Sequence, residues 1–94
     1  MAKLIAFDSN HNLQFEGYCK LSINKLSSQL IIEPKNENFK TISASFQLKY
    51  AIQKNLLFVF ADFDFLDFCL VFKNEKVCGK VFSVIREKQQ QNGQ

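Results

Sequence analysis

Two long stretches of the chain alternate between apolar and polar residues with a period of two. The first covers residues 13–24, where every second side chain is apolar except at Gly17, and the second covers residues 40–53. A period of two places successive side chains on opposite faces of a β-strand. Both stretches are therefore predicted to be strands with one buried face, and Gly17 predicts a bend or bulge in the first.

Shorter apolar segments predict further strands, because turn-forming residues separate them. Pro34 ends one of these segments, since proline cannot donate a hydrogen bond to a strand ladder. Lys54-Asn55 predicts a tight turn between two apolar runs, and another reversal is expected near residues 62–64. The short strands are predicted at residues 3–8, 29–33, 56–61 and 66–73.

The spacing of apolar residues changes after the last predicted strand. Val77, Val81 and Ile85 recur every four residues, which is typical of an amphipathic helix. Asn74 is placed to cap the N-terminus of this helix, because its side chain can accept a hydrogen bond from a first-turn N–H. The helix is expected to end before a polar, disordered tail at residues 89–94.

These segments predict a mainly β domain with one C-terminal α-helix. Short turns favour antiparallel neighbours, so we expect a bent antiparallel sheet or partly open barrel of about six to seven strands. A chain of 94 residues is too short for two separate cores, and residues 1–88 are expected to form a single domain. The residues expected to be least accessible are Phe46, Leu48, Phe58, Phe60, Leu70, Phe72, Val81 and Phe82.

Composition and charge narrow the functional classes only a little. Twelve basic and nine acidic residues give a net charge of +3, which is well below that of a dedicated nucleic-acid binder. The longest apolar run is too short to cross a bilayer, so no transmembrane segment is expected. Three widely separated cysteines do not suggest a disulfide framework, which favours an intracellular location in the cytoplasm or nucleus.

The residues that could carry chemistry do not form a recognisable catalytic or metal-binding pattern. His11 is the only histidine and lies in a predicted turn, while Cys19, Cys69 and Cys78 are far apart in the sequence. A cysteine nucleophile or a zinc site needs several such groups brought together. Three glycines in all leave no phosphate-binding glycine loop. We therefore expect no enzyme activity, no cofactor and no metal, and we expect the cysteines to be buried.

Surface lysines on and between the early strands provide the candidate binding residues. Tyr18 and Lys20 fall on the same polar face of the first long strand. A shallow basic face of this kind attracts acidic peptide segments or phosphoinositide headgroups. Single-stranded nucleic acid is a less favoured ligand, because its binding sites carry more exposed aromatic residues among the basic ones. The candidate residues are Tyr18, Lys20, Lys25, Lys40 and Lys49.

The order of these segments resembles the pleckstrin-homology-like superfamily. The stretches at residues 16–23, 30–34 and 39–42 are similar to the strand–strand–loop–strand opening of its short members, and the resemblance covers residues 13–88. These short members include the N-terminal domain of a transcription factor IIH core subunit and the GRAM and GLUE domains. The resemblance implies a non-catalytic module that binds a protein partner or acidic peptide segment within a larger complex, in transcription or DNA repair.

A five-stranded OB-type barrel with a C-terminal helix is the alternative fold. It implies a small subunit of a single-stranded nucleic-acid-binding complex that assembles through this helix. The two alternatives make different predictions for Val77, Val81, Phe82 and Ile85. A pleckstrin-like domain buries all four within the monomer, whereas the OB-type subunit leaves part of the set exposed for a partner.

Overall fold

The computed structural model describes residues 2–8, 10–60 and 67–92. This part of the chain forms seven β-strands and one C-terminal α-helix, which confirms the predicted mainly β fold class. The first four strands are β1 (Ala2–Phe7), β2 (Leu13–Asn24), β3 (Gln29–Pro34) and β4 (Ile42–Ser45). The remaining elements are β5 (Lys49–Gln53), β6 (Leu56–Phe60), β7 (Asp67–Val71) and α1 (Glu75–Asn92).

All seven strands belong to one antiparallel sheet with the order β4-β3-β2-β1-β7-β6-β5. The chain meanders from β1 at the centre to β4 at one edge. It then crosses to β5 at the other edge and returns to the centre, where β7 pairs with β1. The sheet curls into a half-barrel, and α1 packs on its inner face against β5 and β6.

The strand predicted at residues 40–53 is wrong in one respect, because it consists of two separate strands. The break is a turn in which the N–H of Leu48 donates to the carbonyl of Ser45 at 3.2 Å. The N–H of Gln47 donates to the Ser45 hydroxyl at 3.1 Å. Phe46 is fully buried and Leu48 packs against the core, so both still point inward across the turn. The alternation therefore continues through the break and could not reveal it.

The core lies between α1 and the inner face of the sheet. In the centre, Leu4 of β1 and Leu57 of β6 both lie opposite Leu70 of β7, and none of the three is accessible to solvent. Phe46, Leu70 and Phe72 are buried as predicted. The prediction is wrong for four others, which are only half-buried: Leu48, Phe58, Val81 and Phe82.

The prediction that Phe60 is buried is wrong, because the structure leaves its side chain 36% exposed. Every residue of β6 is apolar, so alternation could not show which of its faces is inside. The register with β7 places Leu57 and Val59 on the inner face, and Phe58 and Phe60 consequently lie on the outer face.

Gly17 does not produce the predicted bulge. The register of the β1–β2 pair shifts between Ala6 and Phe7 instead. A Cβ atom at Gly17 would lie 3.0 Å from the ring of Phe15, which in turn packs on Phe39 with ring centroids 4.8 Å apart. The missing side chain at Gly17 therefore gives the Phe15 ring the space in which it lies.

Asn74 caps α1 as predicted, since its Oδ1 accepts a hydrogen bond from the N–H of Val77 at 2.9 Å. The end of the helix differs from the prediction, because residues 89–92 are helical and not part of a tail. Gln89 explains much of this extension. Its Nε2 donates to the carbonyl of Phe46 at 2.6 Å and to that of Leu48 at 3.1 Å, which attaches the last turns to the sheet.

Lys54-Asn55 forms the predicted tight turn between β5 and β6, with Lys54 in the left-handed region at a φ of 56°. The reversal predicted near residues 62–64 lies outside the described residues. None of the helical structure that is described is long and apolar enough to cross a membrane.

Candidate functional site

An open groove of about 580 Å³ lies between the first turns of α1 and the sheet. Val77 and Val81 form one wall, and their side chains are respectively 43% exposed and half-buried. The volume is within the range of ligand-binding clefts in proteins. The apolar residues that line the groove are Ala2, Leu21, Phe72, Val77 and Val81.

Beside the groove, β2 extends beyond the described part of its neighbour β1. The pairing of β1 with β2 begins with Ala2 opposite Cys19. Residues 20–24 of β2, which we call the β2 overhang, pair with β3 on one side. In the described part of the chain, no strand pairs with the other side of the overhang. The start of α1 lies across this space and does not fill it.

The direction of the backbone groups in the overhang follows from a hydrogen bond at the end of β3. The N–H of Lys35 donates to the carbonyl of Tyr18 at 2.9 Å, so the even-numbered residues of β2 make the hydrogen bonds to β3. Pro34 lies opposite Cys19, which agrees because a non-bonded position needs no N–H. The N–H and C=O groups of Leu21 and Ile23 therefore point away from β3. They point toward the edge of β2 that pairs with β1 up to Cys19.

Three lysines, Lys20, Lys35 and Lys73, surround the apolar lining. No carboxylate is among the described lining residues, and none of these three lysines is in an ion pair within the described part of the chain. By contrast, the outer-face Lys3 pairs with Glu16 at 2.7 Å, which raises the pKa of Lys3 above its usual value. The groove therefore combines an apolar surface with three lysines, of which Lys20 lies opposite Glu33 in the register of β2 and β3.

The structure brings only part of the predicted binding set to this groove. Lys20 lines it, and Tyr18 is exposed beside Lys35 in the register of β2 and β3. Lys25 lies in the turn after β2, Lys40 in the loop before β4, and Lys49 at the start of β5 with its Nζ 5.8 Å from the Phe60 ring centroid.

Sequence reasoning missed Lys35 and Lys73 as binding residues. Each lies after the end of a strand, where alternation no longer predicts the direction of a side chain. Their position in the groove depends on strand register and on the path into α1. The adjacent Pro34 was a usable signal for Lys35, since it marked the end of a strand that pairs with Tyr18 and Cys19.

The other candidate residues are where the sequence predicted them. His11 is exposed in the β1–β2 turn, with a φ of 65°. Cys19, Cys69 and Cys78 are free and buried, and burial raises the pKa of each thiol. Within residues 2–8, 10–60 and 67–92 no group of His, Cys, Asp and Glu side chains is arranged to hold a metal ion.

Comparisons of the chain with protein-family models, with curated proteins and with solved structures found no match.

Proposed function

We propose that this domain is a non-catalytic interaction module that binds an acidic segment of a protein partner in the lysine-lined groove. The observation that carries the proposal is the combination of exposed apolar residues with Lys20, Lys35 and Lys73 around one opening. An acidic segment with apolar side chains complements both properties. Its apolar groups would cover Val77 and Val81, and its carboxylates would lie near the lysines.

The electrostatic part of this proposal predicts a rate effect as well as an affinity effect. Unpaired positive charge around a groove attracts an acidic partner before contact and raises the association rate, especially at low salt. The apolar part predicts that binding persists at higher salt with reduced affinity, because burial of Val77 and Val81 is not screened. A purely electrostatic site would lose binding altogether.

The geometry favours a protein segment over nucleic acid. Binding of single strands without sequence preference relies on exposed aromatic side chains on which bases stack. The aromatic residue that lines the groove is Phe72, which is only 5% exposed. Among the described lining residues a stacked base therefore has no exposed aromatic platform, and Tyr18, 64% exposed beside Lys35, is a single one outside the lining. Aliphatic side chains have the apolar surface of Leu21, Val77 and Val81.

The fold also supports an interaction module. A curled antiparallel sheet with one C-terminal helix is compatible with the pleckstrin-homology-like superfamily, whose members bind protein segments, lipids or partner subunits. Ile85 is fully buried, and Val81 and Phe82 pack against the core, so the helix uses most of its apolar stripe inside its own domain. The pleckstrin-like expectation that all four stripe residues are buried is nevertheless wrong for Val77, which is 43% exposed, and partial exposure is what the OB-type alternative predicts. The burial of the stripe therefore does not separate the two alternatives. In the pleckstrin-like one, the partner would be a component of a transcription or DNA-repair complex.

The test measures the affinity of a short synthetic peptide of alternating Glu and Val, with blocked ends, for the wild-type domain and two double variants. Lys20→Glu with Lys35→Glu reverses two groove lysines. Lys40→Glu with Lys49→Glu reverses two exposed lysines outside the groove and changes the net charge equally. Fluorescence anisotropy at low and physiological salt gives each affinity, and thermal melting confirms that each variant is folded.

We expect the groove variant to bind about tenfold more weakly at low salt. An exposed ion pair contributes about 0.2–1 kcal/mol, reversal adds repulsion of similar size, and about 1.4 kcal/mol corresponds to tenfold. At physiological salt the control variant should stay within about twofold of wild type, since interactions of exposed charges beyond about 8 Å are then largely screened. Equal losses in both variants would instead locate binding on the broad basic face that includes Lys40 and Lys49. Absence of binding to the wild-type domain would refute the proposed function.

A further inference from the structure

We infer, on the basis of the proposed function, that the acidic segment binds as an added β-strand along the β2 overhang. The segment would lie antiparallel to β2, in the direction that β1 takes. The apolar groove then contacts only one face of the segment, and the main-chain groups of Leu21 and Ile23 supply hydrogen bonds that do not depend on its sequence. This is the known mode of recognition by strand addition at a sheet edge.

Two hydrogen bonds on opposite sides of β3 independently fix which backbone groups of the overhang point away from β3. The bond from Lys35 N–H to the Tyr18 carbonyl assigns the even-numbered residues of β2 to the β3 ladder. On the other side, the N–H of Phe46 donates to the Ser28 carbonyl at 3.0 Å, which assigns the even-numbered residues of β3 to β4. The odd-numbered residues of β3 therefore bond to β2, in agreement with the first assignment.

Unpaired backbone groups beside an apolar wall favour a strand as occupant. A buried N–H or C=O without a partner is costly, so an apolar ligand alone would cover the edge of Leu21 without satisfying it. An extended peptide covers the same surface and completes the ladder. The free edge of a strand is in general a template for pairing with another chain.

The register also specifies the side-chain pattern of the segment. In an antiparallel pair, a residue that exchanges hydrogen bonds with Leu21 has its side chain on the same face as Leu21. That is the inner face, where Val77 and Val81 line the groove. The next residue points to the outer face, which it shares with Lys20 and Lys35. A segment of alternating apolar and acidic residues fits both faces.

A second copy of this chain fits the overhang less well than an acidic peptide does. Two antiparallel overhangs would bring the lysines of one copy toward those of the other, and like charges across paired strands are destabilising. The peptide brings opposite charge to the same lysines. Charge complementarity therefore selects the acidic partner.

The two outermost strands of the sheet are less suited to strand addition. The Tyr50 hydroxyl of β5 donates to the carbonyl of Ser45 in β4 at 2.8 Å. Gln89 of α1 donates to the carbonyls of Phe46 and Leu48 in the connection between them. Side chains thus already occupy backbone acceptors where β4 leads into β5.

The experiment compares how tightly three versions of the Glu–Val peptide bind to the unmodified wild-type domain. One is unmethylated, one is N-methylated at its Val amides, and one at its Glu amides. Antiparallel addition uses the Val amides, because the Val side chains share the face of Leu21. Amide hydrogen exchange, followed by NMR with and without peptide, reports on Leu21 and Ile23, and Ser22 serves as an internal control bonded to β3.

We expect methylation of the Val amides to weaken binding at least about tenfold, because two hydrogen bonds that do not depend on charge are lost. Methylation of the Glu amides should leave the affinity within about threefold of that of the unmethylated peptide. Leu21 and Ile23 should exchange faster than Ser22 in the free domain and become protected when the peptide binds.

Equal binding of both methylated peptides, with unchanged exchange at Leu21, would refute strand addition and leave the proposed function standing. Greater loss on methylation of the Glu amides would refute the antiparallel register, since a parallel strand uses those amides. If the Leu21 amide became more protected from exchange as the domain concentration rose, without peptide, the occupant would be a second copy of the chain and not an acidic partner. If oligo-dT protected the Leu21 amide as much as the Glu–Val peptide does, the occupant would be nucleic acid and not an acidic segment. Failure of the unmethylated peptide to bind would refute the proposed function itself.

Discussion

The two ends of the interface between α1 and the sheet differ in how completely they are closed. At the C-terminal end of the helix, Phe46 and Ile85 are inaccessible to solvent, and Gln89 donates to two backbone carbonyls of the sheet. At the N-terminal end, Val77 is 43% exposed beside the β2 overhang. We call these the closed end and the open end.

The two ends differ in how far side chains and backbone groups find partners within the domain. At the closed end the burial of aromatic and aliphatic side chains is joined by the hydrogen bonds of Gln89 to the carbonyls of Phe46 and Leu48. At the open end, apolar side chains, unpaired strand groups and lysines meet without satisfying one another. The proposed function therefore assigns binding to the open end, and we expect stability to depend more on the closed end.

The largest expected effect that tests this comparison is on the free energy of unfolding. Phe46→Ala should destabilise the domain by about 3–5 kcal/mol, because it leaves a large cavity in a fully buried site. Val77→Ala, at the open end, should change stability by less than about 1 kcal/mol. Urea denaturation of both variants checks the contrast. Similar losses for the two would show that the open end also belongs to the stability core.

A smaller effect is expected at Gln89. Gln89→Ala should destabilise by about 1–2 kcal/mol, because the two carbonyls of Phe46 and Leu48 lose their partner in a partly buried site. The exchange of amides in the last turns of α1 should accelerate at the same time. Peptide affinity should not change, since the groove lies at the other end. Unchanged stability would indicate that water replaces Gln89 and that the closed end does not depend on it.

The smallest effect is expected between the two ends, at Gly79. A Cβ atom there would meet nothing within 4 Å, so Gly79→Ala removes the helix-propensity penalty of glycine without a clash. We expect a gain of up to about 1 kcal/mol in a thermal or urea melt. A loss would mean that the helix approaches the sheet more closely than the structure shows.

Part of the structure around both ends follows from sequence patterns. β2 begins and ends at the residues that the alternating pattern predicted. Asn74 caps α1, as its position before the apolar stripe of the helix indicated. The break after β4 could not be predicted, because Phe46 and Leu48 continue the alternation of inward-pointing residues through the turn. The burial of Gln89 against backbone carbonyls was also beyond prediction, since a polar side chain next to a polar tail carries no signal of a distant partner.

The open end could be predicted only in part. Lys20 was recognised as a surface lysine beside Tyr18, and Val77 and Val81 as helix-stripe residues. Their meeting depends on the register in which Ala2 lies opposite Cys19, so that among the described residues the pairing of residues 20–24 is with β3 alone. Such a difference in strand length appears only when register is known, because each strand taken alone has an ordinary alternating pattern. Lys35 and Lys73 join the groove for the same reason.

The central claim is that the open end, and not another surface, binds an acidic segment. The most direct test is an NMR titration of the wild-type domain with the unmethylated Glu–Val peptide, which reads every backbone amide in one series. The largest chemical-shift changes are predicted at Leu21, Lys35 and Val77, with little change at Gln89. The largest changes along Tyr50 and the rest of β5, with Leu21 and Val77 unaffected, would contradict the account.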